Sequence, residues 1–332
     1  MANKERKIQF ASHEVGLVLD SSIWRSADSG ISWRKVLEDS EFNAFEALSG
    51  QFAVAAGAQG RFAVSHDAGA TWEVTRIVPA GNTIAIAASD PANIFIASDS
   101  GLLLLSTDQG RTWTEIPLPS PSFVIQDLAS CEAGKLWLIG RPREEAIRTE
   151  AYYLWLTRGG KAGQEKADWF EARDRLLRHS LCFTPDYGQS WTTAEVPHYE
   201  FDSLKCLGAE QVVALSPRFG CVAAELRNGV VSTSHVAAVP ESWCCDAIAW
   251  DGVCYAGYSH LSGFFSVTRD GGKNYRTVGI LDNGVFNVFF VDELRGWARV
   301  GSFGGIMVCG TADGGLNWEK LTRAMASSFG FG

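Results

Sequence analysis

The chain has 332 residues, of which 46% are hydrophobic and 20% are charged, a composition typical of a globular protein with one large or two medium-sized domains. Its formal net charge of −9 argues against nucleic acid as the partner and favours a basic protein. No apolar run reaches the ~18 residues that a membrane-spanning helix needs, and the start, MANKERKIQF, lacks the apolar stretch of a secretory signal, so we expect a cytoplasmic protein.

The eight cysteines fit a reducing compartment. They lie mostly in apolar, strand-like runs such as GVCYAGY at 252–258, and no Cys-x-x-Cys pair or Cys/His cluster has the spacing of metal ligands. Because unpaired cysteine is one of the most buried residue types, we predict buried, reduced thiols. The histidines are scattered and no phosphate-binding or dinucleotide-binding loop is present, so we predict neither a metal nor a cofactor.

An eight-residue pattern with Ser or Thr, Asp, Gly and an aromatic residue at fixed offsets recurs along the chain. Its first copy, SADSGISW, spans residues 26–33. We call the six copies the repeat turns: 26–33, 65–72, 106–113, 184–191, 268–275 and 311–318. Their aspartates are Asp28, Asp67, Asp108, Asp186, Asp270 and Asp313, and their closing aromatic residues are Trp33, Trp72, Trp113, Trp191, Tyr275 and Trp318. Such regular recurrence indicates a repeat architecture.

The spacing of the aspartates gives the number of units. Neighbouring aspartates lie 39, 41, 78, 84 and 43 residues apart, so two intervals are about twice as long as the others. The longest contains a degenerate copy, ELRNGVVS at 225–232, with Arg227 in the aspartate position. The other contains residues 141–178, whose nine basic and seven acidic residues set them apart as an insertion. Seven units of about 42 residues remain.

Each unit holds four short strand-like runs, as in NTIAIAAS, ANIFIAS, GLLLLST and TWTEIPL around the third repeat turn. Four strands in about 40 residues are typical of a propeller blade. The sequence therefore predicts an all-β chain: a single seven-bladed β-propeller over residues 1–332, with the charged, partly helical insertion 141–178 in blade four. We expect the repeat-turn aspartates to be structural, because a short carboxylate at a turn accepts backbone N–H groups and glycine accepts a positive φ.

The insertion has two predicted elements. AYYLWLT at 151–157 predicts a strand that extends the blade, and ADWFEARDRLLRHS at 167–180 predicts an amphipathic helix of about three turns with an acidic start and a basic end. Because the insertion follows the second strand of its blade, it should leave the edge opposite the repeat turns.

Two interpretations of this segment stay open. Trp169, Phe170, Leu176 and Leu177 form a stripe that could pack the helix onto the propeller rim. Alternatively, part of the aromatic and Arg-rich surface binds a partner, because Trp, Tyr and Arg dominate interface hot spots. The candidate partner-binding residues are Tyr152, Tyr153, Trp169, Phe170, Arg173, Arg175 and Arg178.

The repeat turns resemble the Asp-box, or bacterial neuraminidase repeat. In that family the Asp-box is the turn between the third and fourth strands of a blade, and its role is structural. The last unit, VFNVFFVDELRGWARVGSFGGIMVCGTADGGLNW at 285–318, is similar in its order of motifs to the photosystem II assembly-factor family of seven-bladed propellers. That resemblance implies a non-catalytic, protein-binding scaffold or assembly factor. An alternative suggested by charge and compartment is an immunity-type protein that neutralises a toxin or effector.

Sialidases carry the same repeat, so a sialidase-like or other glycoside hydrolase is a further alternative. That resemblance would imply three arginines around a substrate carboxylate, and a Tyr/Glu pair with an Asp acid/base near the axis. The Phe/Tyr-Arg-Ile-Pro signature is missing, and RIVP at 76–79 follows a repeat turn. The innermost strands offer Glu46, Asp127, Asp202, Lys205 and Asp246 to the channel. We predict no enzyme and no catalytic residue.

Overall fold

The computed structural model describes residues 7–20, 22–38, 41–48, 51–77, 81–119, 123–160, 163–176, 179–196, 201, 203–216, 220–236, 244–247, 255–258, 264–270, 274–279, 285–302 and 305–321. Within them, 28 strands form seven four-stranded antiparallel sheets, and each strand pairs with its neighbour in sequence.

The strands of the first three sheets are as follows. Sheet 1 contains β1 (Ile8–Phe10), β2 (Gly16–Leu19), β3 (Ile23–Ser26) and β4 (Arg34–Leu37). Sheet 2 contains β5 (Phe42–Ala47), β6 (Ala53–Gly57), β7 (Arg61–Ser65) and β8 (Glu73–Arg76), with a short 3₁₀ turn at Ala58–Gly60. Sheet 3 contains β9 (Thr83–Ala88), β10 (Ile94–Ser98), β11 (Leu103–Ser106) and β12 (Thr114–Ile116).

The remaining sheets follow in chain order. Sheet 4 contains β13 (Phe123–Glu132), β14 (Lys135–Pro142), β15 (His179–Thr184) and β16 (Thr192–Val196). Sheet 5 contains β17 (Ser203–Gly208), β18 (Gln211–Ser216), β19 (Gly220–Arg227) and β20 (Val230–Val236). Sheet 6 contains β21 (Cys244–Ala247), β22 (Tyr255–Tyr258), β23 (Phe264–Thr268) and β24 (Arg276–Gly279). Sheet 7 contains β25 (Val285–Phe290), β26 (Gly296–Ser302), β27 (Gly305–Thr311) and β28 (Glu319–Lys320).

The composition of each strand follows its place in the sheet. Every residue of β10, IFIAS, is buried, because a second strand is flanked by strands on both sides and covered by sheets on both faces. Every residue of β8, EVTR, is exposed, because the fourth strand lies at the outer edge of its sheet. For these two strands, therefore, the hydrophobic run marks an inner strand and the charged run an outer one.

The hydrophobic core lies between the sheets. Among the described residues, six buried clusters each combine residues from two sheets that are adjacent in the ring, for example Leu17 and Phe45 from sheets 1 and 2. Each sheet contacts the next one in sequence, and sheet 7 contacts sheet 1. The first strands of the sheets face one another at the centre, so the described sheets form a closed ring.

Ring stacking, hydrogen bonds and an ion pair close the ring between sheets 7 and 1. The rings of Phe10 and Trp297 stack with centroids 3.6 Å apart, and Trp297 Nε1 donates to the carbonyl of Ser29 at 2.9 Å. The amide of Ile8 donates to the side-chain oxygen of Asn287 at 2.9 Å. An ion pair joins Arg299, which is 2% exposed, to Asp20 at 2.7 Å.

The repeat turns connect the third and fourth strands of their sheets. In the turn at 106–113, Ser106 Oγ donates to Asp108 Oδ1 and accepts the amide of Gly110, both at 2.8 Å. The other partner is Thr112, whose amide donates to Asp108 Oδ1 at 2.8 Å and whose hydroxyl donates to Oδ2 at 2.6 Å. One carboxylate thus accepts three hydrogen bonds from donors at the two ends of a seven-residue segment, 106–112. In the turns at 268–275 and 311–318, an asparagine side chain replaces the last hydroxyl donor.

The glycine of the repeat turn brings the backbone against the preceding sheet. Gly110 has a φ of +83°, and a Cβ built there would lie 2.2 Å from the ring of Phe62 in sheet 2. Trp113 Nε1 donates to the Gly110 carbonyl at 3.1 Å, and the Trp113 ring meets Phe62 edge-on with centroids 5.2 Å apart. The same approach occurs at Gly69, Gly188 and Gly315, each against an apolar side chain of the sheet before. Each of these turns therefore ties its own sheet to the previous one.

Sheet 5 uses a different turn from the predicted degenerate copy. Arg227 pairs with Val230, and the two residues between them, Asn228 and Gly229, have φ values of +51° and +75°. This is the two-residue Asn-Gly hairpin turn that suits antiparallel strands. Arg227 ends β19 and bonds to Glu225 Oε2 at 2.7 Å.

The prediction that the cysteines are reduced is wrong for one pair. Cys131 in β13 and Cys206 in β17 form a disulfide that joins sheets 4 and 5, with Cα atoms 5.8 Å apart. The two residues are separated by 75 positions, so only the pairing of neighbouring sheets brings them together. Cys182 and Cys309 are free and buried, and burial raises the pKa of each thiol to about 12.

The insertion holds two helices, α1 (Glu144–Thr157) and α2 (Glu165–Leu176), between β14 and β15. The predicted strand at 151–157 is therefore wrong. The predicted helix at 167–180 is confirmed over 167–176 and starts earlier, at Glu165, whereas His179 and Ser180 belong to β15. AYYLWLT is rich in residues that favour strands, but apolar residues also recur here with the period of a helix. Ile147, Ala151 and Leu154 are spaced by four and three residues, and they face the second helix. Neither helix has the length and apolar character that crossing a bilayer requires, as far as the described residues go.

The helices leave the edge of the ring opposite the repeat turns. They join the second and third strands of sheet 4, whereas the repeat turn at 184–191 joins its third and fourth strands. Successive connections in an antiparallel sheet lie at opposite edges. We call α1, α2 and their connection the helical hairpin.

We predict that Asp108→Asn lowers the free energy of unfolding at pH 7 by about 1 kcal/mol, the size of a lost turn or helix cap. Hydrogen bonds from the Thr112 side chain and amide lower the pKa of Asp108 from 3.8 to about 2. A folded-state pKa below the unfolded one stabilises the protein above about pH 4, and the stabilisation is lost as the pH falls towards 2. In urea unfolding, the free energies of unfolding of the wild type and the variant should therefore become equal as the pH falls towards 2. The exposed Glu115→Gln is the control; equal stabilities of D108N and wild type at pH 7 would contradict the prediction.

We predict that Cys131→Ser lowers the free energy of unfolding by about 2–4 kcal/mol, because the cross-link restricts a long loop in the unfolded chain. Peptide mass spectrometry without reduction should find Cys131 linked to Cys206 in the wild type. Cys182→Ser, which removes a free thiol, serves as the comparison for loss of a cysteine alone. A wild-type protein in which both residues react with a thiol reagent would disprove the link.

Candidate functional site

The helical hairpin has a small core of its own. Ile147 and Leu154 of α1 and Ala172 of α2 are buried, and Ala151 and Trp169 pack against them. All five residues belong to the two helices. The hairpin is therefore held together by contacts within itself, and Trp169 packs against α1.

Charged side chains fix the connection between the helices. Arg158, the residue after α1, contacts the carboxylates of Asp168 and Glu171 in α2. Asp168 is 1% exposed, so this contact compensates a buried charge. The hydrogen bond to Arg158 lowers the pKa of Glu171, so the carboxylate stays charged. Arg175 adds contacts to Glu171 at 2.7 Å and Glu150 at 3.4 Å.

The side of α1 that faces away from α2 is apolar and exposed. Tyr152 is 56% exposed, Tyr153 58% and Leu156 45%. The Tyr152 ring lies 6.0 Å from the rings of both Tyr153 and Trp155. On α2, Phe170 is 49% exposed and lies beneath the guanidinium of Arg173 at 4.9 Å. Three of these exposed side chains lie on α1 and one on α2, and we call the four together the aromatic face: Tyr152, Tyr153, Leu156 and Phe170.

The predicted partner-binding residues thus separate into three groups. Tyr152, Tyr153 and Phe170 are exposed, with Arg173 above Phe170. Trp169 and Arg175 contribute to the hairpin itself. Arg178 and Leu177 lie outside the described residues, as does the side chain of Leu176. Trp169 and Phe170 do not pack a stripe onto the propeller rim, because Trp169 packs within the hairpin and Phe170 is exposed.

Sequence reasoning missed Leu156 and Trp155. The signal was present: Tyr152 and Leu156 are four residues apart, and Tyr153 and Leu156 are three apart, as on one face of a helix. Interpreting 151–157 as a strand placed these residues on alternating sides and concealed the face.

The centre of the ring carries charged groups that are engaged in structural contacts. Glu46 accepts a hydrogen bond from Gln9 Nε2 at 2.6 Å and pairs with Lys7 at 3.2 Å. Asp127 accepts the amide of Leu204, in the next sheet, at 2.7 Å. Both carboxylates therefore join neighbouring first strands.

Lys205 reaches from sheet 5 towards sheet 7, with its Nζ 5.0 Å from the centre of the Phe289 ring and 3.5 Å from the carbonyl of Phe290. Asp202 lies outside the described residues, and so does the side chain of Asp246. Among the side chains that the structure describes, no group of three His, Cys, Asp or Glu residues could hold a metal ion.

Comparison with families connects the hairpin to a recurring segment. A family described as "Protein of unknown function (DUF2934)" matches residues 142–178, which include both helices. No curated protein matches the chain.

Comparison with solved structures concerns the ring of sheets. The chain is similar to YCF48 bound to D1 peptide, with a TM-score of 0.59 and 14% identity over 84% of this chain and 82% of that one. YCF48 from Cyanidioschyzon merolae gives a TM-score of 0.58 and 13% identity over 93% and 96%. The chain therefore has a propeller-like fold. An ancestral GH74 enzyme gives a TM-score of 0.56 and 12% identity over 96% of this chain and 49% of that one. At such identities the similarity shows the fold alone, and the prediction of a mainly β, propeller-like protein is confirmed at this level.

Proposed function

We propose that residues 1–332 form one seven-bladed Asp-box propeller, with 141–178 as an insertion in blade four, that acts as a non-catalytic protein-binding scaffold. The helical hairpin supplies its partner-binding surface. The observation that carries the proposal is the aromatic face: four large apolar side chains, each about half exposed, on a hairpin whose own core needs none of them.

The chemistry of the face suits a protein partner. Aromatic side chains cover a large area with few rotatable bonds, and they concentrate binding energy at interfaces. Large apolar side chains that are exposed to water are energetically unfavourable, and a bound partner would cover them. The ion pairs of Arg158 hold the two helices in one arrangement, so little ordering is required when a partner binds.

The helical hairpin lies at one edge of the ring, so the proposed partner-binding surface is separate from the turns that hold the sheets together. The repeat turns, with their aspartates and aromatic residues, lie at the opposite edge and are occupied in joining sheets. In one structural neighbour, YCF48, the same kind of fold is seen with a bound D1 peptide, which supports a protein ligand for this chain.

The charges of the chain support a division of roles. The insertion carries nine basic and seven acidic residues, whereas the whole chain has a net charge of −9. A basic partner would be attracted to the ring, and the aromatic face would supply the short-range contact. Location in the cytoplasm is not part of the proposal, because disulfides such as Cys131–Cys206 are rare in reducing compartments.

Mutation of the aromatic face tests this function. We predict that Tyr152→Ala/Tyr153→Ala/Phe170→Ala reduces capture of the partner at least about tenfold, because loss of central aromatic contacts commonly costs that much affinity. The measurement is a pull-down with the tagged full chain, quantified by mass spectrometry, with circular dichroism to show that the helices persist. Tyr187→Ala/Val74→Ala changes exposed side chains away from the hairpin and should capture the same proteins as wild type. An unchanged set of proteins with the triple variant would refute the proposal.

A glycoside hydrolase is the alternative, since a GH74 enzyme has a similar fold. Glu46 and Asp127 are tied to neighbouring first strands, so we predict no turnover of fluorogenic sialosides or glucosides by the full chain. Turnover that disappears in Glu46→Gln or Asp127→Asn would show that the channel is an active site. An unrelated contaminating activity would persist in both variants.

A further inference from the structure

The outer strand of sheet 5 differs from the other outer strands. β20 has seven residues, VVSTSHV, whereas β4, β8, β12, β16, β24 and β28 have two to five. Each of those six carries at least one Lys, Arg, Asp or Glu, and β20 carries none. Charged residues on outer strands are a usual protection against pairing with another chain. β20 is therefore a long edge without that protection.

The Asn228–Gly229 turn determines which backbone groups of β20 face outwards. Arg227 and Val230 flank a two-residue turn, so they exchange both hydrogen bonds, and the alternation continues along the strand. Positions 230, 232, 234 and 236 thus bond to β19. The N–H and C=O groups of Val231, Thr233 and His235 point away from it, and in the described part of the chain no strand pairs with that side.

We infer that β20 is a self-association edge, at which a second copy of this chain pairs its own β20 in antiparallel orientation. A two-fold axis through Thr233 would place this residue opposite its copy, 231 opposite 235, 232 opposite 234, and 230 opposite 236. The outward groups of positions 231, 233 and 235 would then form six backbone hydrogen bonds across the axis.

The sequence of β20 suits pairing with itself. Ser232 would lie opposite Ser234, and Thr233 opposite Thr233, and hydroxyl pairs of this kind stabilise antiparallel strands. Pairing would also shield Val230, which at 64% is more exposed than the other large hydrophobic residues described. The strand has no Lys, Arg, Asp or Glu that would repel a copy or select a different protein. Among the outer strands that the structure describes, β20 is the one edge of this kind, so pairing of two copies leaves no second edge of the same kind for further assembly.

Sedimentation equilibrium of the full chain over about a hundredfold concentration range tests the inference. The mass of the wild type should rise from 36.1 kDa to about twice that value. Thr233→Pro removes an outward N–H but no bond to β19, and proline is tolerated at such edge positions. Thr233→Lys places two like charges opposite each other at the axis. Each variant should raise the dissociation constant at least about tenfold, and the lysine variant gives a result if the proline variant unfolds.

Two controls separate this edge from other surfaces. Thr75→Lys adds the same charge to the exposed outer strand β8 and should dimerise like wild type. The triple variant of the aromatic face should also dimerise like wild type, so failure of the proposed function and failure of this inference are distinguishable. A wild type that stays monomeric, dimerisation unaffected by either Thr233 substitution, or dimerisation lost in the aromatic-face variant would each overturn the inference.

Discussion

The structure depends on the close contact between the repeat turns and the sheets before them, which is described at five of the six turns. A single sheet of four short strands has two apolar faces and cannot bury both alone, so it is stable only between two neighbours. The turn glycine permits the contact: at Gly110 the backbone lies against the Phe62 ring where any side chain would collide. The carboxylate of Asp108 supports the same geometry by holding the turn in a conformation with positive φ at two consecutive residues.

Closure of the ring follows from the same constraint. Sheet 1 has no preceding sheet in sequence, so its repeat turn must pack against sheet 7. The Trp297 indole bonds to the first repeat turn and stacks on Phe10, and Arg299 reaches Asp20. These contacts join residues nearly 300 positions apart, and they give the terminal sheets the two neighbours that every other sheet has. Closing such long loops costs conformational entropy, and the buried contacts at this junction help to offset that cost.

Much of the fold could be predicted because its information is local. Each repeat turn contains its hydrogen-bond donors, its acceptor and its glycine within eight residues, and the spacing of the turns gives the number of repeat units. The errors arose where information is not local. Cys131 and Cys206 meet only through the packing of two sheets, and ELRNGVV keeps the glycine of a repeat turn but forms a shorter one. In the insertion, AYYLWLT has the composition of a strand, and α2 supplies the surface that makes it a helix. Tyr152, Tyr153 and Phe170 were predicted from residue type, but the placement of Tyr152, Tyr153 and Leu156 on one side of α1 required the helix.

The self-contained core of the helical hairpin has an evolutionary consequence. Ile147, Leu154 and Ala172 bury one another, and β14 and β15 pair across the point where the hairpin joins them. A helical hairpin with its own core can be gained, lost or changed in sequence during evolution without altering how neighbouring sheets pack together. Selection can therefore change what the chain recognises while the ring that carries it stays the same.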